Sequence, residues 1–81
     1  MGKLRSLSGK DLLKIFSVFG FHSIAQHGSH VKLRRTLPGG SRETLTIALH
    51  DEVDKGTLKT IYSQALRYIP ETDLRSHFYT D

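Results

Sequence analysis

One spacing of apolar residues occurs twice in this chain, and it constrains the fold more than any other feature. Apolar residues at positions i, i+3, i+4 and i+7 lie on one face of a helix. The first set is Leu12, Ile15, Phe16 and Phe19, and the second is Leu58, Ile61, Tyr62 and Ala65. Each set predicts an amphipathic helix that must bury its apolar face against a second layer of structure.

Residues that typically begin or end helices flank both sets of apolar residues. Ser8 is a good N-cap, and Asp11 suits the positive end of a helix that runs from about residue 9 to 19. Gly20 is placed as its C-terminal stop. Asp54 can cap the second helix, and Pro70 is expected to begin a last short segment with a helical turn.

Three segments between the helices have the character of β-strands. Residues 21–27 lie between a helix stop and a turn, and Val31 and Leu33 alternate with polar residues. Residues 42–49 alternate most clearly. Three consecutive strands joined by short turns predict an antiparallel meander, and with two helices they predict an α+β fold, a two-layer sandwich with one open sheet face.

Two glycine-containing turns join the strands. Gly28-Ser29 matches a two-residue hairpin of type II′, which needs a positive φ at its first central residue. A glycine there also lets a ligand approach the backbone closely. Pro38-Gly39-Gly40 predicts a type II turn, in which proline sets φ and glycine supplies the positive φ.

The bulk properties bound the class of protein. A chain of 81 residues predicts a single domain, 1–81. Twelve Lys and Arg against eight Asp and Glu favour a polyanionic partner such as nucleic acid, although solubility alone accounts for such a balance in many proteins. There is no cysteine, which excludes disulfides and thiolate metal sites and fits an intracellular setting. No apolar run is long enough for a membrane span, and the N-terminal residues do not resemble a signal peptide.

His30 is the candidate with the clearest chemistry. It would open the second strand directly after the Gly28-Ser29 turn, and strand alternation places it on the open face with Lys32 and Arg34. An imidazole can both accept and donate a proton near neutral pH. The alternative is a surface histidine without a functional role. The position of His30 in the sequence alone leaves both interpretations open.

Short motifs in the right order resemble the HicA-type family of toxins. The motif Gly28-Ser29-His30 is similar to the Gly-Ser-His of that family. The runs 8–14 and 55–61, with Gln64 after the second, are similar to the starts of its two helices. The resemblance covers about residues 6–66 and leaves 67–81 as a C-terminal extension.

This resemblance implies both a fold and a function. The fold would be like that of double-stranded-RNA-binding domains, in the order α-β-β-β-α. The protein would be the toxin of a type II toxin–antitoxin system, a cytoplasmic endoribonuclease that cuts mRNA without a metal or cofactor. A HicB-like antitoxin protein would silence it. The match to the Gly-Ser-His motif implies a catalytic role for His30 alone.

The remaining candidate residues are expected to contact RNA. Cationic side chains, glycine backbone and a helix N-terminus all suit phosphate groups. The expected RNA-binding residues are Gly28, Ser29, Lys32, Arg34, His50, Lys55, Gly56 and Lys59, with Arg35 and Arg42 as further phosphate contacts. By alternation His50 shares the open face with His30, and the HicA-type family often has a histidine at this place.

Two alternatives remain. His27, His30 and His50 could in principle ligate zinc, but no cysteine and few acidic residues accompany them, so no metal site is expected. The second alternative is a non-catalytic module that binds double-stranded RNA by its shape and phosphates. A pure binder would not need the Gly28-Ser29-His30 motif.

Overall fold

The computed structural model describes residues 2–80 and has the predicted order of helix, three strands and helix, with additions at both ends. The helices are α1 (Gly9–Val18), α2 (Lys55–Ala65) and α3 (Glu71–Phe78). The strands are β1 (Lys3–Leu4), β2 (His22–His27), β3 (His30–Thr36), β4 (Arg42–Ala48) and β5 (Tyr79–Thr80). No helix within residues 2–80 is long and apolar enough to cross a membrane.

Helix α1 begins and ends at the predicted signals. Asp11 N–H donates to Ser8 Oγ at 3.0 Å, and Ser8 N–H donates to the Asp11 carboxylate at 2.9 Å. This reciprocal pair satisfies two N–H groups that the first turn leaves without partners. Hydrogen bonds from Ser8 lower the pKa of Asp11, so the carboxylate stays charged at the positive end of the helix. The helix ends at Val18, and Gly20 follows with φ +88°.

Strands β2, β3 and β4 form the expected antiparallel meander, in that order. Val31 on β3 pairs with Ile47 on β4, and Leu33 pairs with Leu45, so that their side chains share one face. All four are at most 2% exposed, because both predicted helices pack against this face. The two-layer α+β prediction is therefore confirmed, and the opposite face of the sheet stays open.

The core is apolar and rich in aromatic side chains. Leu12 and Phe16 from α1 are fully buried, and all four apolar residues predicted for α2 are buried. Phe16 contacts Phe21 and Phe78, with ring centroids 6.2 and 6.1 Å apart. Edge-on and tilted aromatic pairs of this kind add to the stability that burial provides.

The turn between β3 and β4 differs from the predicted type II geometry. Gly40 N–H donates to the Leu37 carbonyl at 2.8 Å, so Pro38 and Gly39 are the central residues. A type II turn requires a positive φ at Gly39, but the positive φ of +91° lies at Gly40. Leu37 N–H also donates to Ser41. The connection is thus a type I turn followed by a left-handed glycine, a common three-residue hairpin loop.

The segment after Pro70 is a full helix and belongs to the same core. Leu74 and Phe78 of α3 are completely buried. Beyond α3, β5 pairs with β1 in a two-stranded antiparallel sheet that joins the two ends of the described chain. This small sheet is not foreseen from the sequence, because two residues on each side carry too little pattern to recognise.

Candidate nucleic-acid interface

The turn before His30 has the predicted geometry. Gly28 has φ +59°, and Ser29 does not have a positive φ, which is the combination that type II′ requires. A Cβ atom on Gly28 would meet no atom within 4 Å, so glycine is needed for its backbone conformation and not for space. Gln26 Nε2 donates to the Gly28 carbonyl at 3.0 Å and holds the turn from one side.

The second side of the turn is held by the end of β4. Leu49 N–H donates to the Ser29 carbonyl at 2.6 Å, and Gly9 N–H donates to the His50 carbonyl at 2.7 Å. These bonds bring the hairpin turn, the segment after β4 and the start of α1 together at one end of the molecule. We call this end, with Gly28, Ser29 and His30, the hairpin end.

His30, Lys32 and Arg34 share the open face, as predicted. Their cross-strand partners on β4 are Ala48, Thr46 and Thr44 in turn. His30 and Lys32 are exposed, and Arg34 is partly covered. The one ion pair within residues 2–80 joins Arg35 to Glu43, so neither Lys32 nor Arg34 is neutralised by an acidic partner. The cations of this face therefore remain available to an anionic ligand.

Arg35 is not part of that face, so its expected phosphate contact is wrong. Its Nε donates to Glu43 at 2.8 Å, and its terminal nitrogens donate to the carbonyls of Phe19 and Tyr68 at 3.1 and 3.0 Å. The guanidinium also lies 4.7 Å from the centre of the Phe21 ring. Strand alternation could have predicted this, because Arg35 has the same parity along β3 as Val31 and Leu33, whose side chains face the helices.

Arg42 lies at the far end of the sheet from His30. It pairs with Thr36, whereas His30 pairs with Ala48. Six residues of extended strand separate the two pairs, which corresponds to roughly 20 Å. Arg42 and His30 are therefore too far apart to contact the same phosphate group.

The strand alternation that predicts His50 on the open face does not extend to this residue. Strand β4 ends at Ala48, and His50 lies two residues beyond it, where the period of two no longer applies. Its carbonyl is bound to Gly9, and its side chain is exposed at the hairpin end. Backbone hydrogen bonds therefore hold the segment that contains His50 at the hairpin end.

Lys55, Gly56 and Lys59 lie at the start of α2, in the helix layer, and all three are exposed. The N-terminus of this helix is already occupied by Asp54, which accepts from Thr57 N–H at 3.0 Å and from Thr57 Oγ1 at 2.7 Å. These bonds lower the pKa of Asp54. An ionised carboxylate at this position competes with a phosphate for the same N–H groups, so the two lysine side chains suit an anionic ligand better than the helix N-terminus does.

Gly9 is a residue that sequence reasoning missed. A Cβ atom there would lie 2.5 Å from Leu49 Cα and 2.8 Å from the Ala48 carbonyl oxygen. Only glycine therefore lets α1 approach the chain that leaves β4. No local pattern reveals this requirement, because the two segments are some 40 residues apart in the sequence.

No three His, Asp or Glu side chains within residues 2–80 come together as a group that could hold a metal ion. His27, His30 and His50 thus do not form the ligand set of the zinc alternative. A groove of about 420 Å³ lies between α1 and α3, where Lys14 and His77 line it. It contains none of the predicted site residues, so the candidate interface is an open surface.

Comparison with known proteins gives one family. The family described as HicA toxin of bacterial toxin-antitoxin matches residues 9–66, which span both predicted helices and the whole three-stranded sheet. No curated protein and no solved structure matches the chain significantly.

Proposed function

Since this chain belongs to the HicA family of toxins from bacterial toxin–antitoxin systems, we propose that it is a metal-independent endoribonuclease that cleaves mRNA, with His30 as its central acid–base residue. The observation that supports this most is the position of His30. It is exposed at the start of β3, beside the hydrogen-bonded Gly28-Ser29 turn and on the same face as Lys32 and Arg34.

The chemistry needs little more than these groups. RNA carries its own nucleophile, the 2′-hydroxyl next to the scissile phosphate. An imidazole that moves the proton of this reaction contributes typically about 10²- to 10⁴-fold in rate. Lys32 and Arg34 would bind the phosphate and stabilise the charge that builds up on its oxygens. Gly28 and Ser29 would let the RNA backbone come close to His30.

The other predicted contacts would bind RNA beyond the scissile phosphate. Lys55 and Lys59 project from the start of α2, and Gly56 lies between them in the sequence. His50 follows β4 at the hairpin end and is exposed. It would contact an RNA strand that crosses from the sheet to α2. Cleavage of mRNA by the toxin would take place in the cytoplasm.

The alternative function is a module that binds double-stranded RNA without cutting it. To separate the two, the purified protein is incubated with a structured transcript in buffer with excess EDTA. We expect cleavage to persist, with products that carry a 2′,3′-cyclic phosphate and a 5′-hydroxyl, because the RNA supplies the nucleophile and the protein the proton transfer. Binding without cleavage would favour the alternative. Cleavage that EDTA abolishes and zinc or magnesium restores would contradict the metal-free mechanism.

The expected protein partner is a HicB-like antitoxin that covers the working surface. A face with the exposed His30 and Lys32 and the partly covered Arg34 is complementary to an inhibitor that presents acidic groups, and the exposed Lys55 in the helix layer is a further expected contact. Charge pairing of this kind mainly speeds association, whereas buried apolar contacts decide how long a complex lasts.

Reversing two charges on the open face should therefore affect RNA and antitoxin together. We expect Lys32→Glu with Arg34→Glu to weaken RNA binding and to slow antitoxin association, and we expect salt to slow association of the wild type. Stopped-flow association at several salt concentrations measures both effects. Lys14→Glu with Arg67→Glu is the control, since it changes the net charge equally in the helix layer. An on-rate that is equal in both double mutants would show that the antitoxin docks elsewhere.

A further inference from the structure

A second histidine stands directly opposite His30. The register pairs His27 on β2 with His30 on β3, so the two side chains share the open face with Cβ atoms about 5 Å apart. Both are exposed, and no helix covers them. Alternation along β2 does not predict this arrangement, and the sequence motif contains only His30.

An irregularity in β2 brings His27 to this face. The register shifts between Ser23 and Ala25, so that Ile24 has no cross-strand partner. His22 pairs with Arg34 on the open face, and five residues later a strict period of two would turn His27 toward the helices. The extra residue at the bulge reverses this phase.

The remaining groups on this face leave few candidates for a second proton transfer. No Asp or Glu of strands β2 to β4 lies there, because Glu43 is on the helix face and bound to Arg35. The other charged or titratable groups on this face of β2 and β3 are Lys32 and Arg34, with His22 at the far end of β2 and His50 beyond the end of β4. None of these is a cross-strand partner of His30 on β2, whereas His27 pairs with it directly.

We propose that His27 is a second catalytic residue, which exchanges a proton with the scissile phosphodiester in the same step as His30. This inference rests on the proposed ribonuclease function. One neutral imidazole takes the 2′-hydroxyl proton as the 2′-oxygen bonds to phosphorus. The bond from phosphorus to the 5′-oxygen breaks, and the partner imidazolium gives its proton to that oxygen. The step needs no other reactant, and exchange with water restores both histidines.

The test compares three single variants on two substrates. The wild type, His27→Ala, His30→Ala and His22→Ala are first assayed on an oligonucleotide that spans a mapped cleavage position. His22 is the matched control, since it is exposed on the same strand and face but away from the turn. We expect His27→Ala and His30→Ala each to lose about 10²-fold or more in rate, and His22→Ala to stay within about threefold of the wild type.

The second substrate has sulfur in place of the bridging 5′-oxygen at the cleavage position. A thiol is a far stronger acid than an alcohol, so the sulfur leaves without being protonated. This substrate should restore nearly full activity to whichever variant lacks the general acid and leave the other variant slow. A purely structural effect of the substitutions would not respond to this change of one atom. Thermal unfolding and a His27→Gln variant check that the fold is retained.

The outcomes separate this inference from the proposed function. His27→Ala with wild-type activity on the normal substrate, beside an inactive His30→Ala, would overturn the role of His27 alone. Rescue of neither variant or of both would also overturn it, because a paired acid and base predict the rescue of one. A wild type that cleaves no RNA would instead contradict the ribonuclease function itself.

Discussion

Replacing His30 with Ala is expected to reduce RNA cleavage by about 10²- to 10⁴-fold while leaving the stability of the protein within about 0.5 kcal/mol of the wild type. The loss should be large because the imidazole is the proposed centre of proton transfer. The stability should be retained because His30 is exposed at the start of β3 and its truncation opens no cavity in the core.

The measurement combines growth, mRNA integrity and folding. Induced expression of the wild type should stop growth and degrade mRNA, whereas His30→Ala should do neither. Thr36→Ala is the matched control, since it lies on the same strand and face at the far end of the sheet. If purified His30→Ala cleaves RNA at the wild-type rate, the catalytic assignment is wrong.

Replacing Gly9 with Ala is expected to destabilise the protein, because the added methyl group would meet closely packed backbone. The new Cβ atom would lie 2.5 Å from Leu49 Cα and 3.0 Å from His50 N, and both are backbone atoms that cannot turn aside. Forcing a methyl group into a packed region costs about 1–3 kcal/mol. The same movement would loosen Leu49 from Ser29, so cleavage should fall as well.

Urea unfolding of the wild type and of Gly9→Ala measures the first effect, and cleavage under fully folded conditions measures the second. Gly39→Ala is the matched control. It also adds one methyl group to a glycine, but no atom lies within 4 Å and φ is not positive. An equal stability of both variants would contradict the close packing of α1 against the end of β4.

Features that depend on local physics could be predicted closely from the sequence. The capping residues Ser8 and Asp54 predicted the starts of α1 and α2, and the end of α1 was predicted within one residue, because capping groups act within one turn of their own helix. The Gly28-Ser29 turn was predictable because positive φ is a property of a single residue. These features place His30, Lys32 and Arg34 on one open face.

Features that depend on contacts between distant segments could not be predicted in the same way. The need for glycine at position 9 arises from residues 48–50, and the sheet of β1 and β5 joins opposite ends of the described chain. The role of Arg35 depends on the carbonyls of Phe19 and Tyr68, which accept hydrogen bonds from its guanidinium. Each case involves partners that no local pattern connects.

The sequence by itself therefore determined the helices, the hairpin and the basic open face, because hydrophobic period, capping and glycine conformation act over a few residues. Only the tertiary structure decided which side chains meet on that face. A single unpaired residue, Ile24, shifts β2 by one position and turns His27 toward His30. A bulge of this kind forms where cross-strand pairing and the packing of both strand ends require it, and a period of two along one strand does not contain that information.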